Sequence, residues 1–424
     1  MLERLTIDRL GQRGDGVAVT PNGVVFVPYA LSGETVTAEV EDGRGRLVSI
    51  EAASPERVPA PCPLFGVCGG CAVQHLAPAA YAVWKTEQAA APLRQAGLDV
   101  ALSPLVEAHG EGRRRATFHA RRIADADGRT RTAVGFMAAR THDLVPIPAC
   151  PLLVPALDRA PEVALALAEP CAKSAKPLDI QVTATQGGLD VDLRGHGPAS
   201  PRLKTDLVAL AERLGLARLS IHGDVISART PALVAIGPTL VEPPAGGFLQ
   251  ATQAGEDALS RLVLEALGKP KRVLDLFAGV GPFALRIAGR AAVHAVEADA
   301  AALEALSAAA RRTQGLRPVT VEARDLFRRP LLGPELASYD AVVFDPPRAG
   351  AEAQARQLAA SQVPTVVGVS CSPATFARDA AILVGGGYAL EAVTPVDQFL
   401  FSAHVELVGV FRRPRASRAR RTLG

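Results

Sequence analysis

Cys371 ends the apolar run Val366-Val367-Gly368-Val369-Ser370 and is followed by Ser372-Pro373-Ala374-Thr375. The pattern is a buried strand, then a thiol, then a helix begun by proline. In an open α/β sheet that carboxyl edge is where ligands bind, and a helix N-terminus is expected to lower the thiol pKa and favour the thiolate. Glu406 sits in Val405-Glu406-Leu407-Val408, otherwise apolar, where burial would raise its pKa toward the range a poised base needs. A third strand, Tyr339 to Phe344, runs into Asp345-Pro346-Pro347-Arg348. Taken singly, the thiol also fits a small core filler, and the glutamate half of an ion pair.

A glycine loop narrows the chemistry. Arg272 to Phe277 reads as a buried strand feeding Ala278-Gly279-Val280-Gly281 and a helix that begins near Pro282-Phe283. The next strand ends in Ala295-Val296-Glu297-Ala298-Asp299, and an acid there can accept the ribose hydroxyls of an adenosine group. A lone Gly-x-Gly also fits nicotinamide cofactors or a plain tight turn. The Asp-Pro-Pro-Arg run tips the choice. Methyltransferases of exocyclic amines carry an aromatic residue after Pro-Pro to pack on the base, so arginine disfavours a nitrogen target. Uracil carbon-5 is a carbon that cannot take a sulfonium methyl unaided. A thiolate added to carbon-6 makes an enolate that can, and a base must then remove the carbon-5 proton before the thiol leaves. A cysteine, a carboxylate and an S-adenosylmethionine loop are the minimum set.

Three further cysteines crowd together in Cys62-Pro63-Leu64-Phe65-Gly66-Val67-Cys68-Gly69-Gly70-Cys71, and Cys150 follows in Pro148-Ala149-Cys150-Pro151. Four thiolates satisfy a tetrahedral zinc or an iron–sulfur cluster, and spacing alone leans to zinc. Cys171 stands apart and is expected to be packed.

These groups need elements to hold them. The chain has 424 residues, 48% hydrophobic and 21% charged, enough for about three globular domains. Residues 1–54 read as short strands with turns at Pro21-Asn22-Gly23 and Ser32-Gly33, a small β-barrel, and a proline-rich linker follows. Residues 55–240 mix a helix (Tyr81 to Ala96) with strands at 180–184 and 189–193 joined by Gly187-Gly188. Residues 241–424 alternate strand and helix as a doubly wound α/β domain does. The net charge is +3, and the positive charge is nearly all arginine, clustered at Arg113, Arg114, Arg115, Arg121 and Arg122 and again at Arg412, Arg413, Arg415, Arg418, Arg420 and Arg421. Such clusters fit a nucleic-acid partner or a solvated surface. One Trp and four Tyr leave few stacking platforms. The polar tail after Arg412 is expected to be disordered. Neither a signal peptide nor a transmembrane run is expected, and a cytoplasmic monomer is.

Together these motifs make the sequence resemble the RNA uracil-5-methyltransferase family, in its iron–sulfur, TRAM-bearing branch, over almost the whole chain. The resemblance implies an α/β protein with an N-terminal TRAM barrel, a central α+β iron–sulfur domain and a Rossmann-like methyltransferase domain. It implies that Cys62, Cys68, Cys71 and Cys150 hold a 4Fe–4S cluster, which moves the preference from zinc to iron–sulfur. Gln250, Phe277, Glu297, Asp345 and Asp325 would contact S-adenosylmethionine. Ser370 to Thr375 is similar to the nucleophile motif, giving Cys371 that role, and His404-Val405-Glu406 to the general-base motif. Tyr81 to Lys85 and Gly247-Phe248-Leu249-Gln250 also look like family landmarks. Four positions depart from the family pattern: Ala251-Thr252 for Val-Asn, Pro282 for Asn, and Leu400 for Pro. The substrate expected is a uridine of 23S rRNA. The alternatives are uridine-54 of tRNA, or an iron–sulfur RNA-binding protein without turnover.

Overall fold

The computed structural model describes residues 1–124, 127–171, 178–195 and 197–414. Arg415, Arg418, Arg420 and Arg421 of the expected polar tail lie outside the described residues.

At the N-terminus, alternating residues build a six-stranded sheet around one apolar core that includes Leu5, Ile7, Val27, Val36 and Ala38. The hairpin expected at Pro21-Asn22-Gly23 joins Asp15–Thr20 to Gly23–Pro28, with Gly23 at φ 123°. The chain leaves this sheet through the proline-rich linker, where the buried Glu34 accepts from Ser54 N at 3.2 Å and Arg57 Nε at 2.6 Å. A seven-stranded sheet follows, its strands Leu178–Thr185 and Gly188–Arg194 paired across the Gly187-Gly188 turn. The helices Ala160–Cys171 and Pro201–Leu214 pack on it, and Cys171 is buried in that core.

The third sheet carries the site. We label its strands β1 (Arg272–Leu276), β2 (Ala292–Glu297), β3 (Val319–Ala323), β4 (Ala341–Phe344), β5 (Thr365–Ser370), β6 (Ala389–Asp397) and β7 (Glu406–Arg412). Their order is 3-2-1-4-5-7-6, with β1 to β5 parallel and β7 antiparallel to both neighbours. Val273 and Leu274 alternate between two apolar cores, one on each face, as buried strands of period two must. Two earlier segments join this sheet. Val106–Glu107 pairs with the edge of β6, and the helix Pro78–Gln95 sends Ala89 and Leu93 into the core that holds Leu407 and Phe411. The helix expected from Pro282 is only one turn, Ala284–Ile287, because the chain swings through Gly289 straight into β2.

Candidate active site

The sheet order reverses between β1 and β4, and one cavity of about 600 Å³ opens at the carboxyl ends of the strands there. Gln250, Phe277, Glu297, Asp325, Asp345, Cys371 and Glu406 all line it. Seven residues spread over 157 positions of sequence therefore share one wall.

Each is held for a local reason. Phe277 leaves β1 in the left-handed region at φ 60°, which turns the chain into the glycine loop. A side chain at Gly281 would meet Leu306 at 2.7 Å, so the loop can pack this tightly only with glycine. Glu297 ends β2 and accepts from Gly279 N at 3.1 Å and Ala298 N at 2.7 Å, which ties strand to loop. Asp325 accepts from Phe327 N at 3.0 Å, and the Phe327 ring lies 5.5 Å from Phe277. Asp345 follows β4 and accepts from Gln250 Nε2 at 3.1 Å. Cys371 follows β5, half-buried, with Ser372 capping the helix Pro373–Gly385. Glu406 opens β7 and is buried.

Electrostatics correct one expectation. Burial, with Glu406 and Asp345 adding repulsion, pushes the Cys371 thiol up to about 11, although a helix starts beside it and Arg348 opposes the rise. The expected lowering of the thiol pKa is not found, because burial, with two acids facing the thiol, outweighs one helix end. Burial and then Asp345 push Glu406 up to about 8, as expected of a poised base, and burial pushes Asp345 up to about 7. His404 faces the same cavity, and burial and Arg348 push it down to about 4, so its ring is neutral. Arg348 Nη2 lies 3.1 Å from His404 Nε2.

Sequence reasoning missed the groups behind this wall. Lys85 is fully buried, and its ammonium donates to Asp397 Oδ1 at 2.7 Å, to Phe399 O at 3.2 Å and to His404 O. Tyr81 donates to Asp397 Oδ2 at 2.5 Å, and His109 Nε2 lies 2.9 Å from the same oxygen. The network clamps the segment between β6 and β7 that carries Phe399 and His404. Only the landmark Tyr81 to Lys85 hinted at it. The arginine cluster is also revised. Arg114 is 5% exposed and donates to Glu256 Oε2 at 2.5 Å and Gln250 O at 3.0 Å, so it braces the cavity from inside. Arg113 and Arg115 lie over the rings of Phe399 and Phe248. The departures are structural too. Thr252 caps the helix Gln253–Leu267, Leu400 packs near Tyr81 and Trp84, and Pro282 lines the cavity.

Cys62, Cys68, Cys71 and Cys150 line a second cavity of about 330 Å³, and none is in a disulfide. Gly69 N donates to Met137 O at 2.9 Å, and a side chain at Gly69 would strike that oxygen at 2.9 Å, so the cysteine loop is pressed onto its neighbour. Among the described residues, no group of three or more His, Cys, Asp or Glu is arranged to hold a metal ion. The expected metal therefore rests on the donor set and the shared cavity, without a coordinating geometry. Phe399 lines both cavities. Among the described residues no helix is long and apolar enough to cross a membrane.

Fold and cavity define the class, a doubly wound α/β enzyme with its site at the carboxyl edge of the sheet. Residues 245–414 match the family model for tRNA (Uracil-5-)-methyltransferase, and residues 3–48 match the TRAM domain. An RNA methyltransferase of Rhizobium meliloti is 45% identical over 415 residues, covering 96% of this chain and 99% of that protein. The 23S rRNA (uracil(1939)-C(5))-methyltransferase RlmD of Halomonas elongata is 34% identical, over 98% of this chain and 90% of that one. The crystal structure of Pyrococcus abyssi tRNA (uracil-54, C5)-methyltransferase in complex with S-adenosyl-L-homocysteine superposes with a TM-score of 0.71. It covers 96% of this chain and all of its own at 20% identity, a likeness of fold. The chain belongs to the RNA uracil-5-methyltransferase family and is an RNA (uracil-5-)-methyltransferase.

Proposed function

We propose that this enzyme methylates carbon-5 of one uridine in 23S rRNA, using S-adenosylmethionine, in the cytoplasm. The observation that carries the proposal is the convergence of Cys371, Asp345 and Glu406, from three strand ends, on the cavity that also holds the glycine loop. When bound, S-adenosylmethionine supplies an electrophilic methyl. Gln250, Phe277, Glu297, Asp325 and Asp345 would hold it. The Cys371 thiolate adds to carbon-6, a sulfur–carbon bond forms, and the ring electrons move to carbon-5. Carbon-5 takes the methyl as the sulfonium bond breaks, leaving the thioether. Glu406 then accepts the carbon-5 proton, the double bond re-forms and the thiolate leaves. The preference for 23S rRNA draws on the name of the 34% identical relative, since the tRNA enzyme resembles this chain in fold alone.

The working division is an RNA-binding barrel over 1–54, a cysteine-bearing domain over 55–240 and a methyltransferase domain over 241–424. Cys62, Cys68, Cys71 and Cys150 would hold a 4Fe–4S cluster, a reading supported by four unpaired thiols facing one cavity. Anaerobic purification should then yield iron and acid-labile sulfide bound to the chain, lost in Cys68→Ser.

The experiment is transfer of labelled methyl to unmodified 23S rRNA and, separately, to unmodified tRNA. Wild type should label the rRNA, and Cys371→Ala should label neither. Label in tRNA alone would move the substrate to that RNA. No label in either would end the enzymatic reading for both.

A further inference from the structure

Gln398 is 1% exposed and follows the last residue of β6. Its amide has one possible sense. Oε1 accepts from Ala251 N at 3.0 Å and from Thr252 N at 3.4 Å, so two backbone donors fix the oxygen end. Nε2 therefore faces the other way and donates to Gln250 Oε1 at 2.7 Å and to Glu406 Oε1 at 3.0 Å. With its oxygen committed, Gln250 must turn its own Nε2 toward Asp345, 3.1 Å away. The backbone at Ala251 thus sets the direction of a chain of donors that ends on both acids of the cavity. Space is reserved for it: a side chain at Gly255 would meet Gln398 Oε1 at 2.6 Å and its Cβ at 2.7 Å.

We propose that Gln398 is a positioning residue for proton removal: it holds the Glu406 carboxyl in place and favours its charged form against burial and Asp345, and fixes which end of Gln250 meets Asp345. The inference rests on the reading above, in which Cys371 adds to the ring and Glu406 takes the carbon-5 proton. The charged and titratable groups facing Glu406 are Asp345 and Arg348 after β4, Cys371 after β5 and Lys85 of the helix Pro78–Gln95. Asp345 opposes the carboxylate, while Arg348, Lys85 and the Gln398 donor favour it. A hydrogen bond to a charged group is stronger than a neutral one, so its loss selects the protonated acid.

The part played at Glu406 can be separated from any effect that reaches the cofactor side through Gln250. With 5-fluorouridine in the RNA, carbon-5 carries no proton after methyl transfer, so the thiol adduct persists without any work by the base. Wild type, Gln398→Met and Gln398→Glu would each be given 23S rRNA transcribed with 5-fluorouridine, and the same RNA with tritium at uridine carbon-5. We expect Gln398→Met still to form the fluorinated adduct, which shows that it folds and measures any loss on the cofactor side, and its loss of tritium release to exceed its loss of adduct. Its tritium release should fall roughly tenfold near neutral pH, with the acid limb of the rate moved up by about one pH unit. Gln398→Glu keeps an acceptor for Ala251 N but loses the donor, and its deficit should grow as pH rises. Tritium release at the wild-type rate and pH dependence in Gln398→Met would overturn the inference. Equal loss of adduct and release would also overturn it, reducing Gln398 to packing. A wild type that gives neither adduct nor release on this RNA or on tRNA would bring down the reading of the site itself.

Discussion

At Cys371 a helix start and a guanidinium pull one way, while burial and then two acids pull the other, and burial decides the balance in the free protein. The arrival of a sulfonium changes that balance. A positive charge brought into the cavity beside the thiol would favour the thiolate, and at an effective dielectric constant of about 20 such a charge within a few ångströms is worth a few kcal/mol. The pH of half-maximal alkylation of Cys371 should therefore fall from about 11 when S-adenosylmethionine is added. S-adenosylhomocysteine, which lacks the charge, should leave it in place; equal effects of the two would remove the electrostatic account. Glu406 offers a second test. Its folded pKa of about 8 lies above the usual 4.5, so its protonated form is the stabilising one. That contribution is complete below about pH 4.5 and is lost as the pH rises through about 8. Glu406→Gln should be more stable to unfolding than wild type at pH 9, by an amount on the order of 2–5 kcal/mol, and no more stable near pH 4.5. With uridine RNA the same variant should accumulate the covalent adduct, visible as a denaturation-resistant band.

The segment between β6 and β7 is an element defined by its anchors. Lys85 and Asp397 are both fully buried, and removing one charge leaves the other without its partner. Lys85→Met should cost about 3–5 kcal/mol in urea unfolding, and Asp397→Asn added to it should restore part of that loss. An additive double mutant would mean that Tyr81 and His109 satisfy Asp397 unaided. The same segment marks what sequence can and cannot reveal. Turns and strand ends were readable because their signals are local: Pro21-Asn22-Gly23 makes its hairpin, and Asp345 and Cys371 fall where apolar runs stop. The Lys85–Asp397 contact spans 312 positions, and no local periodicity encodes which residue meets which at that range. Gln398 escaped for the same reason, since an amide between Asp397 and Phe399 looks like any loop residue. Charge clustering misled at Arg114, because composition does not say which of three adjacent arginines turns inward. The thiol pKa differs from expectation because a helix start is visible in sequence, whereas the burial of the thiol and the acids that face it are not.

On the scale of the whole molecule, the division at residue 240 does not follow the contacts that build the site. Glu256 is held at 2.5 Å by Arg114 and at 2.9 Å by Arg286, one on each side of that boundary. Asp397 depends on Tyr81, Lys85 and His109, and the sheet takes Val106–Glu107 as its edge strand. Cutting the chain at 241 would expose the core where Ala89 and Leu93 pack, strip Asp397 of its Tyr81, Lys85 and His109 partners and remove half of the Glu256 clamp. A fragment of residues 241–424 should therefore show no cooperative thermal transition, and S-adenosylhomocysteine should not shift its melting. A fragment beginning at Pro78 retains Lys85, His109 and Arg114 and should melt cooperatively, with a ligand-dependent rise like that of the full chain. If the shorter fragment melts cooperatively and responds to the ligand as the full chain does, the upstream anchors are dispensable to the cavity and serve the RNA side of the enzyme alone.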